Sequence, residues 1–352
     1  MSKSKLTLLI DGNWLLMSRL SAISNIYVDD FEMCEKLQLL MVQSIKKIIK
    51  KFPQIDNIIF CSDNGSWRTT IDIPSVNIDE DGNIVTYKGN REKSSEINWE
   101  AVFGMYENLI NQLNQNGIIT FKEHLVEGDD LLYWCSDQLN KNGTNCIIWS
   151  KDNDLKQLVN IDSNKCFTVW WNETSGMFVK DFKEDDLDFL FNNDYNENDE
   201  IFRLITNNIT ITKLDKNYII IDKIIRGDKG DNIMPVLYKQ NPKSTRKYRI
   251  SQSDINYQMD WTNDNEVLQY FTNLLNQKKY KDNVNKSLED IMAHFIYNRR
   301  LVALDVRYYP KEIVESLNNL SFDKTSNIEG LYIVENNIRM NINNLNGIID
   351  FV

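Results

Sequence analysis

Cys146-Ile147-Ile148-Trp149-Ser150-Lys151-Asp152-Asn153-Asp154-Leu155-Lys156-Gln157-Leu158 is the stretch whose reading decides the fold. Its first four residues form an unbroken apolar run, which predicts a strand buried on both faces. The run stops at two aspartates, Asp152 and Asp154, and Leu155 and Leu158 begin an amphipathic turn behind them. Carboxylates this close repel, and each raises the other's pKa unless a cation lies between them. Hard divalent ions such as Mg²⁺ take oxygen ligands of this kind. Taken alone, the same residues also read as a solvated acidic turn capping a helix. The other predicted strand ends decide between the two readings, because the pattern recurs there.

Leu6 to Ile10 is a strand candidate that meets Asp11-Gly12-Asn13, and Trp14 to Leu20 reads as a short helix. Phe31 to Phe52 is a longer helix, with Met33, Leu37, Leu40, Met41, Ile45, Ile48 and Ile49 at helical spacing and Pro53 as its stop. Asn57 to Cys61 is a second buried strand, followed by Asp63-Asn64-Gly65. A β-α-β order with an aspartate after each strand places carboxylates at the carboxyl edge of a parallel sheet, where such sheets bind ligands. Ile97 to Gln115 reads as a helix stopped by Gly117, and Ile118 to Phe121 as a third strand. Glu127-Gly128-Asp129-Asp130 then opens a helix running through Leu139. The helix dipole favours acidic residues there, but three carboxylates in four residues exceed what capping needs. Phe167 to Trp171 and Gly176 to Val179 predict a hairpin. The fold class expected is α/β, a mostly parallel central sheet with helices on both faces.

Bulk properties narrow the function. The 352 residues, 42% of them apolar, suffice for a large core and two domains. No segment is apolar enough to span a membrane, and Asp11 ends the N-terminal apolar run too early for a signal peptide. Five cysteines without Cys-x-x-Cys spacing read as buried thiols of a reducing, cytoplasmic compartment. Two histidines far apart, His124 and His294, disfavour zinc hydrolysis and Ser-His-Asp chemistry and read as structural. The net charge of -11 argues against a nucleic-acid partner only if charge is spread evenly, and it is not. Lysines cluster at Lys46, Lys47, Lys50 and Lys51, in the run Lys239 to Arg249, and at Lys278 to Lys281. Residues 66–95 form a polar excursion carrying Arg68, Lys88, Arg91 and Lys93; a loop of about thirty residues in a compact domain is functional or disordered. Residues 181–215 read as an acidic, Asn-rich surface insertion. Arg226-Gly227-Asp228-Lys229-Gly230-Asp231-Asn232 adds two more carboxylates beside glycines that let a backbone approach a ligand. Glu266 to Asn276 and Ser287 to Leu304 read as helices. The carboxylates Asp11, Asp63, Glu127, Asp129, Asp130, Asp152, Asp154, Asp228 and Asp231 are thus candidates for two Mg²⁺ ions. Such a pair activates a water and stabilises in-line displacement at phosphorus.

In their order, these motifs resemble those of the 5′-nuclease superfamily: flap endonucleases, the 5′-exonuclease domains of bacterial DNA polymerases, and phage enzymes. The family's Glu-x-Asp-Asp matches Glu127, Asp129 and Asp130; its Asp-x-Asp matches Asp152 and Asp154; its Gly-Asp-x-x-Asp-Asn matches Gly227 to Asn232. Its first two strand-end aspartates match Asp11 and Asp63, and its Tyr-Lys-x-x-Arg matches Tyr87, Lys88 and Arg91. The nearest likeness is to the RNase H enzymes of T-even bacteriophages, through Ser66-Trp67-Arg68, the run Ile225 to Asn232, and Asn298-Arg299-Arg300-Leu301-Val302. Ile233-Met234-Pro235-Val236-Leu237-Tyr238 departs from the wider family, lacking its glycine hairpin. The resemblance implies a nuclease core over 1–226, with 65–96 as a helical arch over the site, and a helical duplex-binding region over 227–352. It implies Mg²⁺-dependent 5′→3′ exonuclease and 5′-flap endonuclease activity on DNA and RNA/DNA duplexes, with Mn²⁺ able to substitute, removing RNA primers or flaps in replication.

Residue roles are implied by the same resemblance. Asp11, Asp63, Glu127, Asp129 and Asp152 would hold the catalytic ion, and Asp130, Asp154, Asp228 and Asp231 the second. Lys88 and Arg91 would contact the scissile phosphate, and Arg68, Lys239, Lys243, Arg246, Lys247 and Arg249 the nucleic-acid backbone. A monomer is expected, in the host bacterial cytoplasm if phage-encoded, with a single-strand-binding protein as a further partner. Ile348-Ile349-Asp350-Phe351 resembles tails that replication enzymes insert into sliding clamps, but its first reading is a final strand packed on the domain. Two rivals are a PIN-type ribonuclease, which would lack the arch and the Gly-Asp loop, and a non-catalytic DNA-binding scaffold of the same fold.

Overall fold

Thr7, Leu9 and Asp11 alternate with Leu8 and Ile10 along the first strand, and all five are buried, so this strand carries helices on both of its faces. The computed structural model describes residues 5–26, 29–79, 82–91, 94–161, 166–174, 177–179, 216–237, 250–281, 286–322 and 324–349. The acidic insertion expected over 181–215, the basic run 239–249 and residues 350–352 of the expected clamp-binding tail lie outside them. The chain forms two compact units. One comprises Met1–Gly65, Ser94–Leu214 and Glu312–Val352, and the other comprises Ser66–Lys93 and Asp215–Lys311.

The first unit holds the sheet. Its strands are β1 (Lys5–Asp11), β2 (Asn57–Cys61), β3 (Ile119–Phe121), β4 (Thr144–Trp149), β5 (Asn160–Ile161), β6 (Phe167–Asn172) and β7 (Met177–Val179). Five of them run parallel in the order β3-β2-β1-β4-β6, and β5 and β7 each pair antiparallel with β6. The chain steps outward from β1 to β3 and then returns to the other side of β1 as β4. That reversal puts a topological switch point between β1 and β4, where a crevice opens at the carboxyl ends of the strands.

Helices α1 (Gly12–Ile23), α2 (Asp30–Lys51) and α3 (Trp99–Gln115) cover one face of the sheet and bury Leu6, Leu8, Ile10, Ile58, Phe60, Ile147 and Trp149. The alternate residues Leu9, Ile59, Cys61 and Ile148 face α4 (Gly128–Lys141), which buries Leu131, Leu132, Cys135 and Leu139. Gly12 opens α1 where no side chain fits. A Cβ there would lie 2.4 Å from both the Phe60 ring and the Tyr106 hydroxyl.

The second unit contains α5 (Lys216–Arg226), α6 (Asp264–Asn276), α7 (Lys278–Lys281) and α8 (Leu288–Val302). Asn298 in α8 is fully buried and donates from Nδ2 to the carbonyls of Ile224 (2.9 Å) and Met234 (2.7 Å), fixing the chain on either side of the 227–233 loop. His294 is buried and neutral; burial, with Lys286 beside it, pushes it down to about 3. Over 66–95 the described residues form a 3-10 turn at Trp67–Thr69, a bridge between Ile78 and Ile84 and a series of turns. Pro74, Gly82 and Gly89 punctuate this stretch, and no apolar stripe of helical period runs through it, so helix resumes only at α3.

After α9 (Lys311–Asn318), the first unit closes with α10 (Gly330–Ile349). Leu331, Val334 and Ile338 at helical spacing bury its inner face against the α2 side of the core. Ile348 and Ile349 lie in this same helix, which corrects the reading of their segment as a final strand: the apolar spacing of Leu331, Val334 and Ile338 is helical, not alternating. All five cysteines are buried free thiols, and no helix among the described residues is long and apolar enough to cross a membrane.

Gly12→Ala is expected to destabilise the chain by about 2 kcal/mol through overpacking, read as a lower midpoint in urea. An unchanged midpoint would mean that the α1 start is not constrained by Phe60 and Tyr106.

Candidate metal centre

Strand alternation alone aims three polar groups at one place. β1 pairs with β2 so that Asp11 lies beside Cys61, and with β4 so that Ile10 lies beside Trp149. One residue further on, Ser150 falls beside Asp11, and two residues beyond Cys61 comes Asp63. Because period-two alternation keeps these positions on the α4 face, all three sit where the N-terminus of α4 arrives.

Asp11 is the centre of this arrangement. Its side chain is 5% exposed and caps α1: Trp14 N donates to Oδ1 (2.9 Å) and Ser150 Oγ donates to Oδ2 (2.8 Å). The second bond crosses the switch point. Ser150, itself fully buried, also accepts from Asp152 N (3.0 Å), so the β4 end is tied to the β1 carboxylate. Asp152 is exposed and caps the following turn, accepting from Asp154 N at 2.8 Å. On the other side, Asn13 Oδ1 accepts from Ser62 Oγ (3.2 Å), Asp63 N (3.1 Å) and Tyr106 Oη (3.1 Å), which locks the β2 end against α1.

Asp63 accepts from Gly128 N at 2.6 Å. The carboxylate thus sits at the positive end of α4, where a backbone N–H lacks a helical partner. Gly128 is suited to this approach, because a Cβ would lie 2.9 Å from Asp63 Oδ1. The same bond brings Glu127, Asp129 and Asp130 to Asp63. Glu127 and Asp130 form a reciprocal capping box, with Glu127 N donating to Asp130 Oδ2 at 3.4 Å. Asp130 is completely buried, Glu127 nearly so, and Asp129 is half-buried. Part of this acidic cluster is therefore helix capping, and the Asp130 carboxylate is tied to the Glu127 backbone.

Electrostatics mark Asp11 out. Burial pushes its carboxyl up to about 7; the bonds from Trp14 N and Ser150 oppose this, and the charges of Asp63 and Asp152 add to it. An all-oxygen donor set whose central carboxylate is held up by burial and by like charge fits a hard divalent cation, which would reverse both penalties. Tyr106 stays a neutral donor, because burial pushes its phenol further up.

The other candidates lie in the second unit. Asp228 accepts from Gly230 N (2.8 Å) and pairs with Lys223 (2.5 Å); burial works against its charge, but Lys223 and the backbone N–H groups of Gly230 and Asp231 hold it below the usual carboxylate range. Asp231 pairs with Arg91 at 2.7 Å, and Lys88 is half-buried with its ammonium 4.9 Å from the Tyr87 ring centroid. Arg68, expected on a phosphate backbone, is instead 2% exposed. Its Nε donates to Leu301 O (2.9 Å), and its guanidinium lies 4.5 Å from the Trp67 ring centroid. A guanidinium enclosed in this way presents no face to a nucleic acid. Lys239, Lys243, Arg246, Lys247 and Arg249 lie outside the described residues. Sequence reasoning passed over Ser150, Asn13 and Tyr106. The one available signal was a lone polar residue directly after an apolar strand.

No protein-family model matches the sequence, and no curated protein is significantly similar to it. Solved structures are similar. The 5′-exonuclease of bacteriophage T5 with bound divalent zinc matches at a TM-score of 0.52 and 17% identity, over 96% of this chain and 99% of that one. The T5 D15 protein co-crystallised with metal ions gives 0.53 and 17%, over 96% and 99%. The T5 D15 flap endonuclease, in a pseudo-enzyme-product complex with DNA and metal ions, gives 0.53 and 17%, over 96% and 98%. The chain has the 5′-nuclease fold, and its five parallel strands with flanking helices are the α/β class predicted from sequence.

Without a bound cation, Asp11 predicts a pH dependence. Its unfolded carboxyl titrates near 3.8 and its folded one near 7. Between those values the folded chain keeps a proton that the unfolded chain has lost, so stability falls as pH rises through this window and levels off above it. In EDTA the melting temperature of the wild type should drop between pH 4 and pH 7 more than that of Asp11→Asn. Saturating Mg²⁺ should raise it more at pH 8 than at pH 5. Parallel pH profiles for the two proteins would contradict the burial of this charge.

Proposed function

We propose that this chain is a divalent-metal-dependent 5′ nuclease, a 5′→3′ exonuclease and 5′-flap endonuclease acting on DNA and RNA/DNA duplexes with 5′ ends or flaps. The observation that carries the reading is the buried Asp11 carboxylate at the switch point, with Asp63 and Asp152 close enough to raise its pKa. The fold shared with a T5 flap endonuclease in complex with DNA and metal ions supports the choice of substrate.

Mg²⁺ is the ion proposed, with Mn²⁺ as its substitute. Asp11, Asp63, Glu127, Asp129 and Asp152 hold it, and Ser150 and Asn13 set the orientation of that group through their hydrogen bonds. When bound, a pair of such ions lowers the pKa of a water and stabilises both oxygens of an in-line displacement. The chain's own side chains supply orientation and charge. Asp130 braces the Glu127 backbone, and the α4 N-terminus steadies Asp63. Lys88 and Arg91 neutralise phosphate charge on the substrate. The part given to Asp130, Asp154, Asp228 and Asp231 in holding a second ion rests on the likeness of their motifs. So do the comparison with T-even RNase H, the removal of RNA primers or flaps in replication, the clamp and single-strand-binding partners, the monomeric state and the cytoplasmic location.

The test is cleavage of 5′-labelled flap DNA and of a 5′-RNA-primed duplex with and without Mg²⁺. Metal-dependent release of short products is expected, and the remaining strand should carry a 5′ phosphate. Since loss of a residue that only supports a metal ligand costs about 10- to 100-fold, Asp11→Asn should cost at least the upper figure. Tight DNA binding without cleavage at any Mg²⁺ concentration would make the chain a scaffold instead.

A further inference from the structure

Two non-glycine residues of the unit containing Ser66–Lys93 and Asp215–Lys311 have left-handed backbones, Lys88 (φ 55°) and Asn232 (φ 56°). Asparagine tolerates this region; a lysine there needs surroundings that hold it in place. Those surroundings are each other's loops. Asn232 Nδ2 donates to Thr86 O (2.9 Å), Lys88 N donates to Asp231 O (2.8 Å), and Asn90 Nδ2 donates to Lys229 O (3.1 Å). Arg91 Nη2 pairs with Asp231 Oδ1 at 2.7 Å. Within the turn, Gly89 N donates to Thr86 O (3.0 Å) and Arg91 N to Lys88 O (3.2 Å).

The loop beneath is stiff. Asp228 and Ile233 exchange both backbone hydrogen bonds, at 2.9 and 2.7 Å. Gly227 (φ 72°) has no room for a Cβ, which would lie 2.3 Å from Ile233 O. The cation-bearing turn Thr86–Arg91 is thus fastened, across more than a hundred residues of sequence, to a loop that cannot readily yield.

We propose that Asn232 and Asp231 are positioning residues, which fasten the Thr86–Arg91 turn and hold the Lys88 backbone in its left-handed form so that Lys88 and Arg91 are presented to a substrate phosphate. This rests on the reading that these two cations contact phosphate. The fastening gives the last two residues of the Gly-Asp-x-x-Asp-Asn motif a task separate from metal binding. The Asn232 amide carries it most cleanly, since the bond it donates is to a backbone carbonyl.

Asn232→Gly is the variant of choice, because glycine keeps the left-handed backbone and removes only the amide. Cleavage of 5′-labelled flap DNA by Asn232→Gly, Lys88→Ala and the double variant forms a cycle. Each single variant should lose about 10- to 100-fold in kcat/KM, and the double should lose no more than the worse single, with the Mg²⁺ concentration for half-maximal rate unchanged by Asn232→Gly. Independent, multiplying losses would overturn the proposal, as would a shifted Mg²⁺ requirement. Hydrogen exchange of the Lys88 amide reads the fastening apart from catalysis. It should speed up at least tenfold in Asn232→Gly, and an unchanged rate overturns the proposal. If Lys88→Ala cleaves like the wild type, the phosphate reading fails, while faster exchange in Asn232→Gly still upholds the fastening.

Discussion

A buried carboxylate among other carboxylates is the constraint on which this molecule depends. Asp11 sits at the end of the central strand with almost no access to water, and Asp63 and Asp152 converge on it. Charges cannot be held that way by chance packing, because each approach raises the cost of the next. Two ties hold it, the α1 N-terminus and the Ser150 hydroxyl across the switch point, and the Asn13 amide oxygen holds the neighbouring Asp63 backbone on the β2 side. These bonds join the ends of β1, β2 and β4 to the start of α1, so the carboxylates meet only in the assembled sheet. The fold concentrates repulsion in one place, and a divalent cation is the species that would relieve it.

The second unit handles charge in the opposite way. Asp228 and Asp231 are each met by a cation, Lys223 and Arg91, and the loop carrying them is braced by Asn298. Where the first unit gathers carboxylates around a buried one, the second uses ion pairs and backbone bonds to hold a basic turn still. Fixed cations suit phosphate binding better than free ones, since less ordering remains to be done when substrate arrives.

Much of the first unit was legible because its signals are local. Apolar runs ending at Asp11, Asp63 and Asp152 announce buried strands with acidic tips, and period two then fixes which side chains share a face. Glu127-Gly128-Asp129-Asp130 was legible as a helix start, but the backbone bond by which Asp130 caps Glu127 was not. Ser150 was missed because one serine after a strand resembles any other until the register sets it beside Asp11. Arg68 was misplaced because a positive charge in a polar stretch says nothing of burial, and Trp67 and the Leu301 carbonyl enclose it. The link between Asn232 and Thr86 is invisible in sequence, since more than a hundred residues separate the partners and no pattern joins them.

The central claim is that Asp11 anchors a divalent-metal site, and calorimetric titration of Mn²⁺ into wild type and Asp11→Asn at pH 7, in buffers of differing ionisation enthalpy, tests it most directly. The account predicts saturable binding by the wild type with release of a fraction of a proton, as the metal displaces the proton that burial keeps on Asp11. It predicts weaker binding and no such release in the variant. Equal affinity and equal proton release in the two proteins would contradict it.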